Sequence, residues 1–195
     1  MRIGIFGGTF DPVHLGHLIV AEQCREQVEL EQVWFMPAAH PPHKLNRPLT
    51  AVEHRLEMLR LAVGGHKAFV VSDLETRLPV PNYTVRTLRH LREQFPDAEW
   101  FLLLGADSLC EFATWYEPFA IARMATLVVA ARPGFTWPDS LPSDFRVRWV
   151  QTPLIEISST DIRQRVRQGR SIRYLVPRAV ECYIAQQRLY LPTTS

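Results

Sequence analysis

Five short apolar runs punctuate the chain: Ile3, Ile5 and Phe6, then Val33 to Met36, Phe69 to Val71, Trp100 to Leu104 and Thr126 to Ala131. Each is short and stops against glycine, proline or a polar residue, the pattern of a buried strand. Between them the apolar spacing lengthens. Leu15, Leu18, Ile19 and Val28 fall on one helix face, as do Val52, Leu56, Leu59 and Val63 before Gly64-Gly65, and then Val85, Leu88, Leu91 and Phe95. Strands alternating with helices predict the α/β class, a doubly wound parallel sheet with right-handed crossovers. Trp100 to Leu104 is the most apolar run and is expected at its centre, covered on both faces. From residue 133 to 153, Pro133, Pro138, Pro142 and Pro153 and the lack of a helical period mark a loop-rich excursion, with Val147 to Val150 as a short edge strand inside it. After it, one helix starts near Ser158 and ends at Gly169, and Pro177 opens a last one with Val180, Tyr183 and Ile184 inward. The expected organisation is one domain over 1–195 whose C-terminal helical segment covers about 158–191, with no internal repeat.

Residues 2–17 concentrate the polar chemistry. The first strand runs into Gly7-Gly8, where the backbone must turn sharply or approach a ligand; Asp11-Pro12 supplies a turn, and a helix follows. His14 and His17 then sit at its first turn on one face, where unpaired backbone N–H groups favour an anion. Gly16 between them leaves room for something flat or bulky. Either histidine alone could be a structural residue, and His14/His17 or His40/His43 could give a metal two ligands. No HExxH and no nearby cysteine pair supports a metal, and neither GxxxxGK[ST] nor GxGxxG occurs.

Composition narrows the classes. The chain of 195 residues is 47% hydrophobic, which excludes disorder as its overall state and allows a substantial core. A net charge of +2 makes no case for a nucleic-acid or membrane surface, so neither partner is expected; a nucleotide needs only a local cluster. Cys24, Cys110 and Cys182 are odd in number, far apart and in no CxxC, which fits a reducing cytosol. The start of the chain lacks the regions of a signal peptide, and no apolar run approaches about 18 residues. A soluble cytoplasmic protein is expected.

Other candidate positions follow the strands. The segment Ala38 to Pro48 is a proline-rich loop at a strand end, where open α/β sheets bind ligands; its His43 and Lys44 are either a solvated basic stretch or cations that close over phosphate. Thr84, after Pro81-Asn82-Tyr83, is a helix cap, a pocket residue, or both. Gly105-Ala106-Asp107 ends the central strand, where a carboxylate could grip a ribose or cap a helix. Trp115, beside Tyr116, is either core or a platform for a flat ring. Ser158 and Asp161 have capping-box spacing, and Ser158, Ser159 and Arg163 together could form a second anion site. Arg165, Arg167 and Arg170 read as solvated.

The segment Gly-Gly-Thr-Phe-Asp-Pro-Val-His-Leu-Gly-His resembles the signature of the nucleotidyltransferase superfamily, whose HxGH element binds the phosphates of ATP. Ile157 to Arg163, about 140 residues later, resembles the superfamily's ISSTxxR element, which holds those phosphates from the opposite side. Pro-Pro-His-Lys, Asn-Tyr-Thr, Gly-Ala-Asp, Thr-Trp-Tyr-Glu and the C-terminal helix extend the likeness along nearly the whole chain, which is most similar to the bacterial nicotinate-nucleotide adenylyltransferases. The RTEGISTS element of cytidylyltransferases is absent, and pantetheine-phosphate adenylyltransferases carry Thr where His14 stands.

That resemblance implies a Rossmann-like nucleotidyltransferase fold with strand order 3-2-1-4-5, and one crevice holding His14, His17, Gly105 to Asp107 and the 158–163 helix start. It implies adenylyl transfer from ATP to nicotinate mononucleotide, giving nicotinate adenine dinucleotide and pyrophosphate in NAD biosynthesis. By the resemblance, His14, His17 and Arg163 are catalytic. ATP is expected to meet Gly7, Gly8, Thr9, Phe10, His14, His17, Gly105, Asp107, Ile157, Ser158, Ser159 and Arg163, and the mononucleotide His43, Lys44, Thr84, Asp107, Trp115, Tyr116 and Arg132. Mg²⁺ is expected with ATP, held mainly by phosphate and water rather than at a protein metal site. The expected partners are the two small-molecule substrates, a homo-oligomer being left open. The competing readings are another phosphorylated acceptor, nicotinamide mononucleotide or phosphopantetheine, and a non-catalytic nucleotide sensor.

Overall fold

The computed structural model describes residues 1–39, 49–131, 142 and 145–192. Strands β1 (Arg2–Gly8), β2 (Gln32–Pro37), β3 (Phe69–Val71), β4 (Glu99–Gly105), β5 (Thr126–Ala131) and β6 (Val147–Gln151) form one sheet in the order β3-β2-β1-β4-β5-β6, with every neighbouring pair parallel. The expected five-strand order is present and extended. The short edge strand pairs with β5 from Leu127↔Val147 to Ala131↔Gln151 and becomes the sixth strand. Strand order reverses between β1 and β4, so their C-terminal ends flank the switch point.

Successive side chains of a strand point to opposite faces, and the sheet therefore feeds two cores. Val33, Phe35, Phe101, Leu103, Val128 and Ala130 pack with helices α1 (Leu15–Gln27), α2 (Val52–Val63), α7 (Ser159–Arg167) and α8 (Arg178–Gln186). Ile3, Ile5, Met36, Trp100, Leu102, Leu104, Leu127 and Val129 pack with α3 (Leu74–Arg77), α4 (Thr84–Gln94), α5 (Ala106–Cys110) and α6 (Pro118–Met124).

Two local expectations change. In α1 the large Ile19 is exposed, and the buried residues are Gly16, Ala21 and Cys24, whose small side chains let the helix lie close to the sheet. At α4 the N-cap is Tyr83, whose side chain makes no capping hydrogen bond among the described residues, and Asn82 donates Nδ2–H to the carbonyl of Glu75 at 2.8 Å. The C-terminal helices dock on the first ones. His54 Nδ1 lies 2.8 Å from the Tyr183 hydroxyl, and the Leu175 carbonyl accepts the Leu15 N–H at 2.9 Å. Among the described residues no helix is long and apolar enough to cross a membrane.

Candidate active site at the strand-order switch

Between β1 and α1 the chain forms a loop whose backbone is held from several directions. A methyl added to Gly8 would lie 2.9 Å from Phe10 Cζ. Phe10 has φ 49° and is 2% exposed, its ring set against those of Phe6, Phe35 and His17. Asp11 is buried too: Oδ1 accepts the Tyr190 hydroxyl at 2.7 Å and Oδ2 the Thr50 N–H at 3.3 Å. Arg55, 1% exposed, donates to the carbonyls of Thr50 (2.9 Å), Thr9 (2.9 Å) and Ala38 (2.8 Å), and so joins the loop after β1 to the end of β2. Burial lowers its pKa, and the acidic groups of Asp11, Tyr190 and Glu53 oppose that shift.

The second motif closes the same loop from the other side. Ser159 Oγ donates to the Pro12 carbonyl at 2.8 Å, and Arg163 donates to the Asp11 carbonyl at 2.6 Å and to Thr160 at 3.2 Å. Ser158 is the N-cap of α7, its hydroxyl accepting the Asp161 N–H at 3.1 Å.

His14 and His17 form a stacked pair, ring centroids 3.6 Å apart and planes at 26°. The backbone N–H of His14 donates to His17 Nδ1 at 3.2 Å. A ring nitrogen that accepts carries no proton, so neutral His17 keeps its proton on Nε2. Burial lowers His14 to about 4 and takes His17 well below its ordinary value, with the adjacent His14 adding to the second shift. Both rings are therefore neutral at pH 7 and contribute N–H donors without charge. The expected run of open helix N–H groups is narrower than read from sequence: Leu15 donates to Leu175 and His17 to the His14 carbonyl at 3.0 Å, which leaves Gly16. The flat group packed on Gly16 is the His14 ring itself, since a methyl at Gly16 would stand 3.0 Å from His14 Nδ1.

His14 binds its proton less readily folded than unfolded, so its effect is absent above its unfolded pKa of 6.5 and grows unfavourable as pH falls from 6.5 towards about 4. Between pH 7 and pH 4.5 this group alone should remove about 2.5 kcal/mol of stability. Urea unfolding at both pH values, compared with His14→Asn, checks this; an identical acid loss in the variant would refute it.

Two cavities open on opposite sides of the β1 tip. The smaller, about 320 Å³, is lined by Phe6, His14, Gly16, His17, Gly105, Asp107, Thr152 and Ile155 among others. The larger, about 540 Å³, is lined by Gly7, Gly8, Glu75, Thr84, Thr87, Leu104, Trp115, Tyr116 and Glu117 among others. Phe6 beside Gly7, and Gly105 beside Leu104, make the two cavities neighbours along the same two strands.

A cytidylyltransferase-like family model matches residues 5–165. The chain is 51% identical to a protein of Thermomicrobium roseum named probable nicotinate-nucleotide adenylyltransferase, over 97% of this chain and 91% of the relative. It is 47% identical to a protein of the same name from Salinibacter ruber, over 99% and 100%. The chain belongs to the nicotinate-nucleotide adenylyltransferase family. Its fold is similar to that of the Plasmodium falciparum nicotinic acid mononucleotide adenylyltransferase complexed with NaAD, at TM-score 0.82, 21% identity and 97% coverage of each chain.

Among the residues that the nicotinate-nucleotide adenylyltransferase resemblance assigns to substrates, His14, His17, Gly105 and Asp107 line the smaller cavity, and Gly7, Gly8, Thr84, Trp115 and Tyr116 the larger. Of the expected crevice, His14, His17 and Gly105 to Asp107 share the smaller cavity and the 158–163 helix start stays outside it, while Gly7 and Gly8, expected at ATP, line the larger. Ile157, Ser158, Ser159 and Arg163 line neither cavity: Ile157 packs on the core, Ser158 caps α7, and Ser159 and Arg163 hold the first loop. Phe10 is a core side chain and can meet a nucleotide through its backbone alone, and the Thr9 carbonyl is taken by Arg55. His43, Lys44 and Arg132 lie outside the described residues. Sequence reading passed over Arg55, Glu75 and Tyr190. For Arg55 a signal existed, since position 55 falls on the apolar stripe between Val52 and Leu59.

Proposed function

We propose that the chain transfers the adenylyl group of ATP to nicotinate mononucleotide, with ATP in the histidine cavity and the mononucleotide in the larger one. An oxygen of the acceptor's 5′-phosphate attacks the α-phosphorus in line, the bond to the bridging oxygen breaks, and pyrophosphate leaves with that electron pair. The observation that carries the reading is His17, a neutral ring whose proton is fixed on Nε2 beside the switch point. The attacking phosphate is already ionised near neutral pH, so no side chain has to remove a proton. Catalysis then consists of positioning and charge stabilisation by preorganised donors. Arg163 lines neither cavity: two of its nitrogens hold Asp11 and Thr160, and its remaining N–H donors suit a triphosphate that extends beyond the histidine cavity. Trp115 offers a ring face to the pyridine and Asp107 an acceptor to a ribose. Support for the acceptor comes from the names of the full-length relatives.

Mg²⁺ fits this donor set as an ion delivered on the triphosphate. Among the described residues no group of three His, Cys, Asp or Glu side chains could cage a metal, while Asp107 is an exposed carboxylate in the histidine cavity that would hold the ion through water. Bound there, the ion would neutralise phosphate charge. The free thiols Cys24, Cys110 and Cys182 suit action in a reducing cytoplasm.

Pyrophosphate release from ATP and Mg²⁺ tests the reading with three acceptors in parallel. Nicotinate mononucleotide is expected to give the highest kcat/KM, above nicotinamide mononucleotide and phosphopantetheine. No release with any of them would favour a nucleotide sensor, and preference for the amide would overturn the substrate.

A further inference from the structure

The larger cavity carries two carboxyl groups in its wall, Glu75 and Glu117, although the acceptor proposed for it bears a carboxylate on its ring. Glu117 is paired with Arg89 of α4. Glu75 is differently placed. Its Oε1 accepts the Thr87 hydroxyl at 3.0 Å, while Oε2 takes no hydrogen bond from the described residues. On its own helix, Asp73 and Arg77 pair with each other. From α4 and its cap come Thr87, Tyr83 and Arg86, whose guanidinium lies over the Tyr83 ring at 5.2 Å; the segment before α6 brings Tyr116 and Glu117, the latter in its ion pair with Arg89. Among the described residues, then, no unpaired cation meets this carboxyl.

We propose that Glu75 is a specificity-determining residue of the acceptor cavity: as a neutral acid it donates to the ring carboxylate of the acceptor, and as a carboxylate it repels that ring and tolerates the carboxamide. The geometry supports this through the place of Glu75 in the cavity wall, with Oε2 taking no hydrogen bond from the described residues and the Thr87 hydroxyl fixing Oε1. Burial drives the Glu75 carboxyl up to about 7, with the Thr87 hydrogen bond opposing the shift, so the switch lies near neutral pH. The proton stays on Glu75 throughout, and no bond is made or broken. The proposal rests on the larger cavity being the acceptor site.

The test is the ratio of KM for nicotinate mononucleotide to KM for nicotinamide mononucleotide, taking the inhibition constant for an acceptor that turns over too slowly. The pyridinium and the 5′-phosphate are common to both molecules and cancel. From pH 6 to pH 8 the ratio should rise about tenfold in the unaltered protein, the limit for binding that requires the protonated group. In Glu75→Gln, whose amide can still accept from Thr87 and donate into the cavity, the ratio should stay level and lie about tenfold lower at pH 8. A level ratio in the unaltered protein, or an unchanged rise in E75Q, overturns the proposal even if the variant binds well. Trp115→Ala separates the two claims: higher KM for both acceptors with KM for ATP unmoved keeps the cavity as the acceptor site whatever Glu75 does. Unmoved acceptor KM in that variant would overturn the cavity assignment, and Glu75 with it.

Discussion

His17→Ala is expected to lower kcat by about 10²-fold or more, the size of the loss when one preorganised donor to a developing charge is removed. The ring also has structural contacts. It stacks on His14, approaches Phe10 edge-on with centroids 5.0 Å apart, and accepts the His14 N–H. Alanine would leave that N–H without its partner, at a cost of about 1–3 kcal/mol in stability. His17→Asn separates the two roles. Its short amide can place an oxygen where Nδ1 now accepts, but cannot reach as far as Nε2. The asparagine variant should therefore melt close to the unaltered protein and still lose about 10²-fold in kcat. Near-normal turnover in either variant would remove His17 from catalysis, and a loss of kcat that tracks loss of folded protein would make its role structural.

Arg55→Ala is expected to produce the largest loss of stability, about 3–5 kcal/mol. Three backbone carbonyls lose their donor, the long side chain leaves a void, and the buried Asp11 loses the cation that faces it. For a chain of this size that corresponds to a fall in Tm of about 10 °C. Arg55→Lys keeps the charge, but one ammonium cannot reproduce the planar fork that reaches Thr9, Thr50 and Ala38 together, so it should recover only part of the loss. A Tm within about 3 °C of the unaltered protein would contradict the bracing role. Both variants should raise KM for ATP more than KM for the acceptor, because the carbonyl they release at Thr9 belongs to the loop that runs into His14.

The strands and the helices between them were legible because they follow from long, unambiguous signals, whereas the strand order came from the family resemblance. Trp100 to Leu104 reads as a strand buried on both faces, and β4 lies inside the sheet. The stripe Val52, Leu56, Leu59, Val63 lies along α2 as its spacing requires, yet Arg55 on the same stripe goes unread. Its partners are backbone carbonyls contributed by distant turns, and a carbonyl leaves no trace in residue type. Ile19 misleads for the reverse reason: size and hydrophobicity pointed inward, whereas close packing on the sheet selected Gly16, Ala21 and Cys24. Glu75 sits in a helix of four residues, too short for any period to register. The division of the site into two cavities depends on which face each residue at the β1 tip takes. Sequence alternation fixes that only once the sheet is known to be covered on both sides.

The hydrogen bond from Tyr190 to Asp11 joins residues 179 positions apart. Protein synthesis is vectorial, at about 5–20 residues per second, so the loop after β1 leaves the ribosome about 10–40 s before the tyrosine that completes its support. Throughout that interval the nascent chain carries the histidine motif without its finished cradle. Arg55 and Thr50 hold the loop long before Tyr190 arrives, so a chain interrupted before residue 190 is expected to keep its sheet and lose only the last donor to Asp11, a loss that the Tm of Tyr190→Phe should reproduce.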